Sequence, residues 1–223
     1  MPVFNALEKV THSPLAGMFD RAHPKPLVRV QPTKPDIAIA DAIAHHARPA
    51  PEKLGRALSW GADEHVLLAL AALGWVATRG QEKSVRRVAD HMLLLTAAAS
   101  VLPHLLKRYI DQTRPDRETL LGHINGISYS GKREDAFPSG HALHMGAVAS
   151  AAGLLPLRPR ALIRSVAVGL SLTRVLILAH WASDVVAGFV MGVALDRILR
   201  LVTGCPTQLS LAPVRDKKPE GRS

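Results

Sequence analysis

The chain has 223 residues, 28 of them Lys or Arg against 18 Asp or Glu, for a formal charge of +10, yet 48% of its residues are hydrophobic. A basic disordered tail lacks that apolar content, and a nucleic-acid surface should interleave its basic residues with aromatics, which make up only 4% of this chain. The single cysteine, Cys205, excludes an intrachain disulfide and a Cys-rich zinc site.

Half of the 16 prolines fall within the first 51 residues, so that stretch cannot be one long helix. It holds no long apolar run after a basic start, and no secretory signal peptide is expected. Ile39, Ile43 and Ala47 stand four apart in the segment 37–47, the spacing of a short amphipathic helix that lies on a membrane surface or packs on the protein. Residues 1–60 therefore read as a Pro-rich leader, 61–204 as the main domain and 205–223 as a basic tail.

From Val66 the texture changes. Val66–Thr78 and Met92–Leu106 carry no charge, and the segments 142–157, 165–173, 175–183 and 185–195 are similarly apolar. Strand alternation is almost absent, so the expected fold class is all-α, a bundle of helical hairpins. No run alone reaches the ~20 apolar residues of a membrane span. Charge decides between soluble and membrane bundles. With crossings near 88–106, 141–157, 161–179 and 184–203, the clusters at 79–87, 158–164 and beyond Leu195 all fall on one side. Short loops rich in Lys and Arg stay cytoplasmic. The expectation is a polytopic bundle of five spans, or six, with the C-terminal tail in the cytoplasm. Gly188 and Gly192 form a small-xxx-small pair that lets a neighbouring helix approach. The side of the N-terminus is open: five spans put the leader outside, while its eight Lys or Arg against five Asp or Glu argue mildly for the cytoplasm.

The opposite junctions hold three charged groups: Lys107-x6-Arg114-Pro115, Pro138-Ser139-Gly140-His141, and Arg174-x5-His180-x3-Asp184. Charges next to membrane spans are costly and point to function. Lys107, Arg114 and Arg174 supply three cations suited to phosphate oxygens. Ser139 reads as a helix N-cap, and the helix starting near Gly140 aims backbone N–H groups at an anion without side-chain obstruction. Together Ser139 and Gly140 complete an oxyanion-type cradle. His180 and Asp184 share a helix face if that stretch is helical, so the carboxylate can accept a hydrogen bond from one ring N–H and leave the other nitrogen as a nucleophile. His141 is left as the acid and base. His144, one turn on, reads as core packing. His65, His91, His104 and His123 have no partner at a readable spacing. In the 116–137 loop, Tyr129, Lys132 and Arg133 are candidates for contact with a substrate headgroup.

These three groups resemble the signature of the type-2 phosphatidic-acid phosphatase superfamily, which includes lipid phosphate phosphatases, bacterial phosphatidylglycerophosphate and undecaprenyl-pyrophosphate phosphatases, glucose-6-phosphatase and the vanadium haloperoxidases. Its pattern is Lys-x6-Arg-Pro, Pro-Ser-Gly-His and Ser-Arg-x5-His-x3-Asp, and the one departure here is Thr173 for serine. The resemblance implies a membrane enzyme of a bacterial inner membrane that removes the terminal phosphate of a lipid phosphate or pyrophosphate at the periplasmic face. It implies a phosphohistidine on His180 oriented by Asp184, with no metal or other cofactor. The implied partner is a membrane lipid, and no nucleic acid. Two alternatives stand beside it, a vanadate-dependent haloperoxidase-like enzyme and an inactive lipid-binding relative.

Overall fold

A computed structural model describes residues 26–46, 57, 63–118, 132 and 134–206 of the protein. In chain order the elements are β1 (Val28–Arg29), α1 (Lys34–His46), α2 (Glu64–Ala77), α3 (Lys83–Leu106), β2 (Ile110–Asp111), α4 (Pro115–Glu118), α5 (Gly140–Ala151) with a 3-10 turn at Ala152–Leu154, α6 (Leu157–Leu176) and α7 (Ala182–Thr203). The helical expectation holds with one addition: β1 and β2 pair in parallel, Val28 opposite Ile110 and Arg29 opposite Asp111. Residues 47–56 and 58–62, the loop 119–131 with Arg133, and the tail beyond 206 lie outside the described residues. So do His123, Tyr129 and Arg133.

The axis of the bundle is α5. Its sequence, GHALHMGAVASA, is short and almost wholly small or apolar, and eight of its residues are buried. It packs most extensively against α7, and glycine makes that possible. A Cβ at Gly192 would collide with the Leu143 carbonyl, one at Gly188 with the Ser139 carbonyl, and one at Gly146 with the Phe189 backbone. The pair read from the sequence as a close-approach motif is therefore the α7 half of this contact, and Gly146 is the α5 half. Helices α2, α3 and α6 surround the pair. Asp63 caps α2 by accepting from the backbone N–H groups of His65 and Val66, and Gly204, at φ 62°, closes α7 in the left-handed region.

The outer faces are apolar. Val66, Leu70, Leu73 and Val76 on α2, Leu162, Val166, Leu172 and Leu176 on α6, and Val186, Val190 and Ile198 on α7 are all exposed. They recur at helical spacing as stripes pointing away from the bundle, and contiguous exposed apolar surface of this kind marks membrane or protein contact. By length and composition α3 alone, among the described helices, qualifies as a membrane-crossing helix, and α2 is apolar but shorter. At ~1.5 Å per residue, α6 with 20 residues and α7 with 22 are long enough. Their hydropathy is diluted by Arg158, Arg160 and Arg164 at the start of α6 and by Asp196, Arg197 and Arg200 near the end of α7.

Those charges gather at the end of the bundle where α2, α5 and α7 finish and α3 and α6 begin. There Arg160 donates to the Leu155 carbonyl and Arg164 to the Ala149 carbonyl, satisfying the C-terminal end of the α5 region. Arg79 lies 4.3 Å from the Trp75 ring centroid and pairs with Asp90 at 2.8 Å, locking the α2–α3 hairpin. Inside the same end, His91 finds partners that no readable spacing showed. Its Nε2 lies 2.9 Å from Asp196 Oδ1 and its Nδ1 2.9 Å from Thr203 Oγ1. Asp196 Oδ2 also accepts from Ser150 at 2.6 Å and Arg200 at 2.9 Å. The carboxylate partner is 105 residues away in sequence, beyond the reach of any local spacing rule.

The leader helix spans Lys34–His46 and buries Asp36 and Ala40, with Ile43 and Ala44 packed beside them, while Ile39 is exposed. The face turned inward is thus 36, 40, 43 and 44. The reason is that Asp36 hydrogen-bonds to the start of α7.

Candidate active site

The site forms at the end of the bundle opposite the arginine clusters, where α3 ends and α5 and α7 begin. Ser139 caps α5, its Oγ accepting from the Ala142 N–H at 3.4 Å, and its own N–H donates to the Asp184 carbonyl at 3.3 Å. The first turns of α5 and α7 are therefore joined at the residues that the sequence singled out. Gly140 opens α5, and a Cβ there would meet only Pro103, at 3.7 Å. The protein itself leaves room for a methyl group at that position. His141 follows in the first turn, half-buried, and Arg174, Asp63 and Lys107 lie close enough for their charges to act on its ring.

His180 sits in the loop between α6 and α7, 3% exposed. Its main-chain N–H and that of Ala179 both donate to the Arg174 carbonyl, at 3.2 and 3.1 Å. The loop is tight: Leu178 adopts φ 52°, a left-handed conformation that an L-residue holds only where its surroundings enforce it. The His180 Nδ1 is 2.6 Å from the Ala136 carbonyl. A carbonyl only accepts, so Nδ1 carries the proton and Nε2 keeps its lone pair. That lone pair faces Arg114 Nη1 at 3.4 Å. Burial, and then the charges of Arg114, Arg174 and Lys107, hold the His180 pKa well below the ordinary histidine value. The ring is neutral at pH 7.

Here the geometry departs from the expected His–Asp pair. Asp184 Oδ2 lies 3.9 Å from His180 Nδ1, too far for a hydrogen bond, and accepts instead from the Trp181 N–H at 2.9 Å. The Ala136 carbonyl holds the ring tautomer. Asp184 holds the loop, by capping the helix that follows it.

The cation group is also paired from within. Asp135 Oδ1 accepts from Arg114 Nε at 2.8 Å and contacts Nη2 at 2.7 Å, two guanidinium nitrogens on one oxygen, and Asp135 Oδ2 lies 3.8 Å from Lys107 Nζ. Arg114 also donates to the Lys132 and Ala179 carbonyls, at 2.9 and 2.8 Å. Lys107 follows the end of α3; burial pushes its pKa down, with Asp135 opposing and Arg114 and Arg174 adding to the effect. Arg174 stands within electrostatic reach of Arg114 and Asp116. Of the three cations of the sequence reading, Arg114 thus stands against Nε2 of His180, Arg174 and Lys107 act on the ring through their charge, and Asp135 bridges Arg114 and Lys107. Sequence reasoning missed Asp135, 21 residues from Arg114, the Ala136 carbonyl and Asp36. None of them stands at a spacing that betrays a partner. Lys132 contributes its carbonyl while its side chain is exposed, and His144 is buried in the bundle near Ser100.

Residues 90–204 match the model of the PAP2 superfamily, more than half of the chain and all three motif groups of this site. The chain belongs to the PAP2 superfamily. Over 138 residues it is 32% identical to proteins named lipid A 1-phosphatase from Rhizobium johnstonii and Rhizobium etli, an alignment covering 61% of this chain and 57% and 60% of those relatives. The matched region thus spans somewhat over half the length of these curated relatives. Among solved structures, LpxE of Aquifex aeolicus superposes with a TM-score of 0.56 at 16% identity, over 75% of this chain and 95% of that one. The transmembrane PAP2-type phosphatidylglycerolphosphate phosphatase of Bacillus subtilis superposes with a TM-score of 0.57 at 19% identity, over 76% and 85%. At these identities the two likenesses show a shared fold.

Proposed function

We propose that the protein is an integral membrane phosphatase that hydrolyses the terminal phosphate of a lipid phosphate, with the 1-phosphate of a lipid A as the first substrate to test. The observation that carries the reading is the His180 ring. Its Nδ1 proton is fixed on the Ala136 carbonyl and its Nε2 lone pair faces a guanidinium. A lone pair held among cations is a nucleophile aimed at an anionic electrophile. The choice of lipid A is supported by the names of the 32%-identical relatives.

In this mechanism Nε2 attacks phosphorus, a P–N bond forms and the P–O ester bond breaks. Lys107, Arg114 and Arg174 bind the phosphoryl oxygens, and the Ser139–Gly140 start of α5 faces the developing charge. The bound phosphate's negative charge offsets these cations, so that His141 takes up a proton in the complex and gives it to the departing alkoxide. As a neutral base it then takes a proton from water, which attacks phosphorus and breaks the P–N bond. Inorganic phosphate leaves and His180 is regenerated. Asp184 acts at one remove, holding the 178–181 loop.

Taken as five membrane crossings, α2, α3, α5, α6 and α7 put the site near one membrane face and the arginine clusters near the other. By the positive-inside rule the site faces the periplasm of a bacterial inner membrane. Purified protein in detergent is expected to release phosphate from lipid A and from other lipid phosphomonoesters, measured with malachite green, and orthovanadate is expected to block it. Halide oxidation by the vanadate-loaded protein indicates a haloperoxidase instead; vanadate binding without phosphate release from any lipid indicates an inactive relative.

A further inference from the structure

The leader segment 27–46 fastens both halves of the site. Before Arg114, the Leu27 and Val28 N–H groups donate to the Tyr109 carbonyl at 2.9 and 3.0 Å, and the Val30 N–H to the Asp111 carbonyl at 2.9 Å. Behind His180, Ala40 of α1 joins Ala136, Leu178 and Trp181 in one buried cluster, with Ile43 and Ala44 against it. That cluster contains the carbonyl that fixes the His180 tautomer and the left-handed residue of the His180 loop.

Among the described residues, the polar contact between leader and loop is the carboxylate of Asp36. Asp36 is 3% exposed. Its Oδ1 accepts from the Ser183 N–H at 2.8 Å, and its Oδ2 accepts from Ser183 Oγ at 2.7 Å and from the Thr33 N–H and Oγ at 2.9 and 2.7 Å. One end of this side chain thus caps its own helix, and the same group satisfies an N–H at the first turn of α7. The start of α7 is capped twice, by Asp184 from within and by Asp36 from a segment 147 residues earlier in sequence. Burial raises the Asp36 pKa, but the bonds from Thr33 and Ser183 outweigh it and leave the group below the usual carboxylate value, so it caps as an anion.

We infer that Asp36 is a positioning residue for the phosphatase site: by tying α1 to Ser183 it holds the 178–183 loop in the conformation that sets the His180 ring. The inference rests on the phosphatase reading for its effect on rate, but not for its effect on the ring. A rigid supporting shell matters because small misplacements of a reacting group cost large factors in rate.

Full-length protein is compared with Asp36→Ala and Asp36→Asn by kcat and KM on p-nitrophenyl phosphate, by melting temperature, and by 15N signals of the His180 ring. Wild type is expected to show one neutral Nδ1–H tautomer. Asp36→Ala is expected to lower kcat at least about tenfold with KM within about twofold, and to split or broaden the His180 signals. Asp36→Asn, which keeps an acceptor for the Ser183 N–H, is expected to recover most of the rate. Unchanged His180 signals and kcat in Asp36→Ala overturn the inference. So does a loss of rate that Asp36→Asn shares in full and that follows melting temperature, since that marks general destabilisation. If wild type shows no phosphatase activity, the phosphatase reading fails alone; the positioning role then stands or falls on the His180 signals.

Discussion

The His180 ring is held by a main-chain carbonyl at 2.6 Å, while the acid four residues on lies 3.9 Å away. Because burial and three cations keep its pKa below the ordinary value near 6.5, protonation does not remove the nucleophile as pH falls through the usual histidine range. The ring signals of His180 are therefore expected to stay those of the neutral Nδ1–H tautomer from pH 8 down to about 6; titration near 6.5 contradicts the arrangement. Gly140 gives a second prediction. The protein leaves room for a methyl group there, so Gly140→Ala is expected to fold with an unchanged melting temperature. Its kcat/KM is expected to fall by about tenfold or more if, as proposed, the start of α5 faces the phosphoryl group and the added methyl group crowds that approach. Equal loss of stability and activity argues against a cradle. The residue types and their order were legible from the three motifs. Their partners were not: Asp135, the Ala136 carbonyl and Asp36 reach the site by tertiary folding from positions with no periodic relation to it.

Among the elements, the α5–α7 contact is the most constrained. A Cβ at Gly192 meets backbone, which cannot yield as a side-chain tip can, whereas one at Gly169 on α6 meets nothing within 4 Å. Gly192→Ala is expected to destabilise by about 1–3 kcal/mol, and Gly169→Ala to be neutral or to stabilise by up to about 1 kcal/mol. Thermal unfolding in detergent compares the two directly; equal effects contradict the packing described. Small residues four apart gave this interface away in the sequence, since periodicity is a local property. The same locality limits what could be read at α1. Apolar spacing marked a helix there, but not that it seats Asp36 on Ser183, a contact that no spacing announces.

For the molecule as a whole, the basic residues that make the chain unusual divide between its two ends. One end holds Lys107, Arg114 and Arg174; the other holds the arginines that bond to helix termini and the buried His91–Asp196 pair. Asp196→Ala removes the acceptor shared by His91, Ser150 and Arg200, and is expected to cost about 3–5 kcal/mol with kcat of the folded enzyme little changed. The leader belongs to the site end, because β1 pairs beside Arg114 and α1 packs behind His180. The sequence left its side open: crossings and leader charge pointed opposite ways. Val30→Cys in a Cys205→Ser background is expected to react with an impermeant maleimide added outside spheroplasts. Labelling only after lysis contradicts the periplasmic assignment.

The central claim is that His180 receives the phosphoryl group. Phosphate release from a lipid phosphomonoester by purified His180→Ala tests it most directly. The expected result is a folded protein, with the melting temperature of a bundle whose helices are intact, and a rate at least about 10³-fold below wild type. Release at the wild-type rate by that variant contradicts the account.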